Sequence, residues 1–132
     1  MEEINKKTDA RMSQFENKHF DYMQLKEIRI GVKKNLDVNT YAKPEFLFLQ
    51  MRQIRMGLEA GVDVTKYNKP GYDWLQMEEI RLGLMEGNDI SMYAGLQYSA
   101  TIMREIRKGL KEGINLNPFV KRGCSTSVLK QV

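Results

Sequence analysis

Four arginines recur at a constant spacing of 26 residues, and their guanidinium groups could bind phosphates or carboxylates. They are Arg29, Arg55, Arg81 and Arg107. Such a ladder of cations on one flank would suit a nucleic acid or an acidic protein surface. A structural role is the favoured alternative, because each arginine could pair with carbonyls at a helix end or with the aspartate that follows three of them at a constant distance. These aspartates are Asp37, Asp63 and Asp89, and Asn115 stands at the matching place after Arg107.

Large aromatic side chains share one position in three successive repeats and are the best candidates for a partner-binding surface. Tyr22, Phe48 and Trp74 project toward the polar arc of the predicted helices, and Lys26 and Arg52 follow the first two at i+4. A cation at that spacing can lie over a ring, and aromatic residues beside basic ones are typical of interface hot spots. The alternative is that a neighbouring segment covers the rings. The sequence supports both interpretations equally.

Catalysis and metal binding have no comparable support in the sequence. His19 and Cys124 are single residues of their types, and no partner stands at ligand or triad spacing. No glycine-rich phosphate loop, nucleophile elbow or paired catalytic carboxylate motif occurs. We therefore expect a protein that is not an enzyme and that uses no metal, no cofactor and no small-molecule substrate.

The candidate residues lie in a repeat that runs from Phe20 to Phe119 without an insertion. Its copies contain the strings QLKEIRIGV, QMRQIRMGL, QMEEIRLGL and IMREIRKGL. A constant period indicates stacked units that build one continuous core. We predict an all-α, single-domain array of four helix–link repeats, a short α-solenoid. The repeats span 20–45, 46–71, 72–97 and 98–119, between an N-terminal capping segment at 1–19 and a basic flexible tail at 120–132.

Start and stop signals predict helices at about 18–34, 44–60, 70–86 and 97–112. Pro44 and Pro70 suit a first helical position, where the missing N–H had no partner. Residue types that accept left-handed backbone mark the ends, at Asn35, Gly61, Gly87 and Gly113. The Asp-Val-x-x-Tyr links that follow predict a capped single turn, whose apolar residue and aromatic ring pin the link onto the core.

Two further sets of repeated residues predict close packing. Glycines inside the helices cost stability, so backbone packing against a neighbouring element is their expected role. These are Gly31, Gly57, Gly83 and Gly109. Gln24, Gln50 and Gln76 project into the apolar face, and a buried amide must be hydrogen-bonded, so we expect them to tie links or neighbouring helices together. The last helix carries Thr101 and Lys108 where the others are apolar, which is typical of a terminal unit.

The positive charge is concentrated outside the repeats. Residues 20–113 carry fourteen basic and thirteen acidic groups, whereas residues 114–132 carry three basic groups and no acidic one. The body therefore lacks the concentrated positive charge that phosphate binding needs. No long apolar segment or signal peptide occurs, so we expect no membrane association and a cytoplasmic location in a bacterial cell.

The motif Pro-x-aromatic-x-x-x-Gln-Met-x-x-Ile-Arg-x-Gly-Leu-x-x-Gly-x-Asp-Val-x-x-Tyr, most complete at 44–67 and 70–93, resembles a repeat of Firmicutes mobile-element and phage proteins. The resemblance implies an inhibitor of a host defence nuclease, similar to anti-CRISPR proteins. Together with the aromatic residues, it favours a non-catalytic protein-binding module. The alternative is a nucleic-acid-binding repeat protein that uses the arginine ladder and the basic tail.

Overall fold

The computed structural model describes residues 2–16 and 18–113, which are all-helical and contain no strand. The α-helices are α1 (Glu2–Met12), α2 (Tyr22–Lys33), α3 (Phe48–Ala60), α4 (Trp74–Met85) and α5 (Ala100–Lys111). Three short 3₁₀ turns follow α2, α3 and α4, at Val38–Thr40, Val64–Lys66 and Ile90–Met92. Among the described residues, no helix is both long enough and apolar enough to span a membrane. The predicted tail at 120–132 lies outside the described residues.

The four repeat helices begin at residues 22, 48, 74 and 100, later than the predicted starts, which for α3 and α4 were Pro44 and Pro70. Pro44 and Pro70 stand in turns that precede α3 and α4, so neither occupies the first helical position. The side chain of Asp73 instead accepts a hydrogen bond from the backbone N–H of Gln76, at 2.7 Å, and begins α4. Asp21 begins α2 in the same way, and Ser99 begins α5. The preferred cap therefore sets the boundary, and the proline shapes the segment before it.

The predicted helix ends are confirmed. Asn35, Gly61, Gly87 and Gly113 all have positive φ values, between 58° and 80°. Backbone N–H groups in this bend return to the last turn of the helix, as in the bond from Val62 N–H to Gly57 C=O at 3.1 Å. The same bend thus follows α2, α3 and α4.

The links fold as predicted, as single turns fastened to the core. Asp63 and Asp89 cap their 3₁₀ turns by accepting N–H groups two residues on, at 3.1 and 3.0 Å, whereas Asp37 makes no such bond. Tyr41, Tyr67 and Tyr93 are fully buried after these turns. The matching residues of the fourth link, Asn115, Leu116 and Phe119, lie outside the described residues.

The glycines make room for these tyrosines, which confirms the predicted close packing at three of the four positions. Tyr41 Oη donates to the C=O of Glu27 at 2.8 Å, and Tyr67 Oη donates to the C=O of Gln53 at 2.7 Å. A Cβ atom at Gly31, Gly57 or Gly83 would collide with the hydroxyl of the tyrosine that follows it. Gly109 is buried.

The glutamines join each helix to the link that follows, as predicted. Gln24 Oε1 accepts the N–H of Asp21 at 2.8 Å, and Gln24 Nε2 donates to the C=O of Phe46 at 2.6 Å. Gln76 makes the same pair of contacts, to Asp73 and to the C=O of Tyr98. One amide therefore satisfies both a helix start and a distant turn.

The chain divides into two compact units, with the boundary between Pro70 and Gly71. Unit 1 holds α1, α2 and α3, and unit 2 holds α4 and α5. In unit 1, α1 packs against α2 and buries Met12 and Phe15, so the segment before the first repeat is helical and contributes to the core. In unit 2, Thr101 and Lys108 of α5 are exposed, as expected for a terminal helix.

Candidate interaction surface

The three aromatic residues predicted to form a partner-binding surface differ in exposure. Tyr22 begins α2 and has 77% of its surface exposed. Phe48 begins α3 and Trp74 begins α4, and both are half-buried. In unit 1 the surface therefore consists of one open ring, Tyr22, and one partly covered ring, Phe48. Trp74 belongs to unit 2.

Arg52 is held in a defined orientation beside Phe48. Its Cζ atom lies 5.6 Å from the centre of the Phe48 ring, which is the cation–π contact that the i+4 spacing predicts. Its Nε atom donates to Oε1 of Glu27 on α2 at 2.8 Å. Nη1 and Nη2 of Arg52 have no hydrogen-bond partner within the described residues. The guanidinium is thus held by Glu27 and Phe48, and the Arg52 side chain remains 38% exposed.

Glu27 joins α2 to α3 through a buried carboxylate. Its side chain is only 2% exposed, and its second oxygen accepts Nε of Arg55 at 2.8 Å. Both oxygens therefore receive a charge-assisted hydrogen bond, which offsets the cost of burying the charge. The sequence did not predict this role of Glu27. An acidic residue kept at that position in most repeats, as at Glu79 and Glu105, was the available signal.

The predicted arginine ladder is mostly used inside the protein. Arg55 and Arg107 are each 12% exposed, and their Nε atoms bind Glu27 and Glu79 at 2.8 Å. Arg29 pairs with Asp9 of α1 at 2.6 Å, and Arg81 is buried with Nη1 beside the Met85 sulfur. Within the described residues, none of these arginines forms an ion pair with Asp37, Asp63 or Asp89, so the expected pairing is wrong. For Arg29, Arg55 and Arg107, the preceding helix supplies the carboxylate instead.

Two charged groups show how this network affects ionisation. Burial alone would lower the pKa of Arg107, but the hydrogen bonds and charges of Glu79 and Glu86 outweigh it and raise the pKa. The hydrogen bond from Lys34 lowers the pKa of Glu59, assisted by the charge of Arg55. Both groups therefore keep their charges in the folded protein near neutral pH.

A groove opens between α1 and the first half of α2. Its volume is about 240 Å³, and both apolar and charged side chains line it. The lining residues are Met12, Glu16, Tyr22, Leu25, Lys26 and Arg29. Lys26 is exposed and has no ion-pair partner in the part of the chain that the structure describes. Three of the predicted site residues, Tyr22, Lys26 and Arg29, are thus brought together here.

A second groove, of about 300 Å³, lies on unit 1 between α1 and the end of α2. Lys7, Arg11 and Lys33 give it a basic character, and Thr8, Val32 and Asn35 complete its wall. Lysine and arginine near a helix end also offset the partial negative charge of the last carbonyls. The basic groups of this groove therefore have a local structural role as well.

Within the described residues, no group of three histidine, cysteine, aspartate or glutamate side chains is arranged to hold a metal ion. His19 is exposed in the turn before α2, with a positive φ of 58°, and Cys124 lies outside the described residues. Compared with known proteins, the chain matches no family model, no curated sequence and no solved structure.

Proposed function

We propose that this chain is a non-catalytic protein-binding module whose four repeats stack as a short α-solenoid. Stacking is supported by the contact that α2 makes with α3 and α4 makes with α5, since each uses a buried glutamate and an arginine 28 residues later. The binding role is carried by one observation. Arg52 is held by Glu27 and Phe48 while its side chain stays 38% exposed, and Tyr22 is largely exposed on the preceding helix.

Such a surface suits a protein partner better than a small ligand. An exposed aromatic ring contributes a large contact area, and an arginine whose orientation is already fixed loses little entropy on binding. The resemblance to repeats of phage and mobile-element proteins directs the proposal further. The module would occupy a surface of a host defence nuclease in the bacterial cytoplasm, as anti-CRISPR inhibitors do.

Affinity capture tests the binding role. The intact chain is immobilised and exposed to a bacterial lysate treated with nuclease, beside the double variant Tyr22→Ala, Phe48→Ala. We expect a protein that the wild type retains and the variant loses, while the circular dichroism of the two chains agrees. Lys69→Ala, an exposed link residue of unit 1, is the matched control and should retain the protein. Equal retention by all three chains would reject the surface.

Nucleic-acid binding is the second candidate, and the basic groove of Lys7, Arg11 and Lys33 is the observation that favours it. The arginine ladder gives it less support than expected, because Arg55 and Arg107 are occupied by carboxylates. Phosphate contacts would make the affinity fall steeply with salt, with a log–log slope of about −0.9 per neutralised phosphate. Absence of a gel shift at low salt would exclude this candidate.

A further inference from the structure

The contact between α2 and α3 in unit 1 and the contact between α4 and α5 in unit 2 use equivalent sides of the helices. The side of α2 that carries Glu27 faces α3, and the side of α3 that carries Arg52 and Arg55 faces α2. In unit 2, Glu79 of α4 and Arg107 of α5 make the corresponding contact. Within each unit, the leading helix (α2 or α4) therefore has an acidic side toward the helix that follows, and that following helix (α3 or α5) has a basic side toward it.

The acidic side has a simple composition. Met23 and Ile30 stand four residues before and three residues after Glu27, so all three lie on one side of α2. Both apolar residues are half-buried. Leu75 and Leu82 flank Glu79 of α4 in the same way. In α2 and α4, which pair with an arginine of the following repeat, an apolar, an acidic and an apolar residue thus stand at positions i, i+4 and i+7.

The basic side of α2 is only partly satisfied within unit 1. Tyr22, Lys26 and Arg29 occupy the places that Phe48, Arg52 and Arg55 occupy on α3. The helix against it, α1, supplies Asp9 to Arg29 and ends at Met12. Tyr22 stays 77% exposed and Lys26 lacks an ion-pair partner in residues 2–16 and 18–113, beside the groove of about 240 Å³.

We infer that this side of α2 binds a helix of the partner protein that carries the apolar–acidic–apolar pattern at i, i+4 and i+7. The inference rests on the proposed protein-binding function and specifies the partner's chemistry. Pockets for small molecules enclose about 300–1,000 Å³, and a water molecule takes about 30 Å³. The groove is therefore just below that range and can accommodate apolar side-chain atoms of an incoming helix, packed against Met12, Tyr22 and Leu25.

Charge complementarity requires the acidic residue in this pattern. Lys26 occupies the position on α2 that Arg52 occupies on α3, and Arg52 binds the carboxylate of Glu27. A carboxylate of the incoming helix would bind Lys26 in the same way. Arg29 can take part as well, because its pair with Asp9 is exposed, at 41% and 63%, and such pairs contribute little to stability. Glu16 on the rim repels a carboxylate, which favours placement of the acidic residue at Lys26 and Arg29.

A second copy of the chain fits this site poorly. The acidic side of α5 carries Thr101 and Lys108 in place of the two apolar residues, and both are exposed. Lys108 would approach Lys26 and repel it. The occupant is therefore a helix of another protein, and self-association is an outcome that the test must detect.

The test uses synthetic helical peptides built on an alanine and glutamine host, with leucine at i and i+7. The acidic peptide carries glutamate at i+4, and its counterpart carries lysine there. Binding to the intact chain is followed by fluorescence anisotropy. We expect the acidic peptide to bind at least tenfold more tightly than the basic one, and Tyr22→Ala to weaken it at least tenfold. Lys26→Glu should reverse the preference between the two peptides.

Lys69→Glu is the matched control, because it changes the net charge equally at an exposed link position of unit 1. It should leave both affinities within twofold. Equal binding of the two peptides, no effect of Lys26→Glu, or equal binding of an acidic peptide broken by prolines would each overturn the inference. Light scattering that shows an oligomer of the chain dispersed by Lys26→Glu would also overturn it, in favour of a second copy.

The two proposals fail in distinguishable ways. A captured protein that depends on Tyr22 and Phe48, together with no binding of the acidic peptide, would reject the helix pattern and retain the proposed function. Peptide binding that Lys26→Glu reverses, without any captured protein, would reject the proposed function and retain the chemistry of the site.

Discussion

At the scale of single residues, the contact between Gly57 and Tyr67 restricts which side chains the core of unit 1 accepts. A Cβ atom at Gly57 would collide with the Tyr67 hydroxyl and with Cγ1 of Val64. Overpacking costs about 1–3 kcal/mol, whereas alanine in a helix gains up to ~1 kcal/mol over glycine. We expect Gly57→Ala to lower the free energy of unfolding by about 1–2 kcal/mol, measured by urea denaturation.

The hydroxyl itself provides the control for that substitution. Tyr67→Phe removes the colliding oxygen, so the double variant Gly57→Ala, Tyr67→Phe should recover part of the loss caused by Gly57→Ala. A double variant whose loss equals the sum of the two single losses would show that the collision is not the cause.

The buried tyrosines also predict sensitivity to alkaline pH. Burial raises the pKa of Tyr93 to about 12 and raises the pKa of Tyr41 as well. The folded state holds the neutral hydroxyl, so its contribution is fully present below the unfolded pKa of 10.0 and is lost as pH rises toward the folded value. We expect the free energy of unfolding to fall above pH 10, by up to about 1.4 kcal/mol per pH unit for each tyrosine. Tyr93→Phe should reduce this slope, and an unchanged slope would contradict the assignment.

Sequence reasoning succeeded for residues whose chemistry permits few alternatives. The structure contains the expected arrangement in three cases. The helical glycines make room for a tyrosine, Gln24 in the apolar face is hydrogen-bonded, and Asp63 caps the short turn that follows it. The role of Glu27 was harder to predict, because its partners Arg52 and Arg55 lie 25 and 28 residues away on another helix. A carboxylate shows its role only when the opposite helix side is known.

At the scale of helices, the Glu27 carboxylate is expected to contribute most of the polar contact between α2 and α3. Loss of one partner of a buried ion pair costs about 3–5 kcal/mol. Because Arg52 is 38% exposed and can be hydrated, we expect Glu27→Gln to lower the free energy of unfolding by about 2–3 kcal/mol. Glu59→Gln removes the pairs of the more exposed Glu59 carboxylate with Lys34 and Arg55 and should cost less than about 1 kcal/mol. Equal losses in urea denaturation would contradict this ranking.

Helix boundaries show why local signals are ambiguous. Proline is acceptable at the first position of a helix and equally acceptable in the turn before it, so Pro44 and Pro70 fit both places. The choice is made by Gln50 and Gln76, whose side chains bind the backbone N–H groups of Leu47 and Asp73. Those glutamines are fixed by distant carbonyls, and the sequence near the proline does not contain that information.

At the scale of the whole molecule, the repeated sequence predicts that one 26-residue repeat can be removed. Deletion of residues 46–71 joins Glu45 to Tyr72 and leaves an aromatic residue after the first link, as in the wild type. If the repeats stack through equivalent contacts, the shortened chain should keep its helical ellipticity per residue within about 10% and unfold cooperatively at lower urea. A chain that loses its ellipticity would contradict the stacked array.

The interaction surface was predictable in its residue types and unpredictable in its exposure. Tyr22, Phe48 and Trp74 share one position of the repeat, but only Tyr22 is mostly exposed. Phe48 lies on the side of α3 that faces α2, because Arg52 and Arg55 on the same side reach Glu27. A single repeat does not specify its neighbours, so the sequence supported exposed and covered rings equally.

The amides of Gln24 and Gln76 have a consequence for the gene. Each binds carbonyl groups 20 and 22 residues farther along the chain. These hydrogen bonds therefore require a fixed number of residues between the amide and its acceptors. A codon gained or lost in that interval moves the acceptors away from the amide, whereas recombination between copies adds or removes 26 codons and preserves every distance. Lineages that carry this gene should therefore differ by whole copies, and short insertions should be confined to its ends.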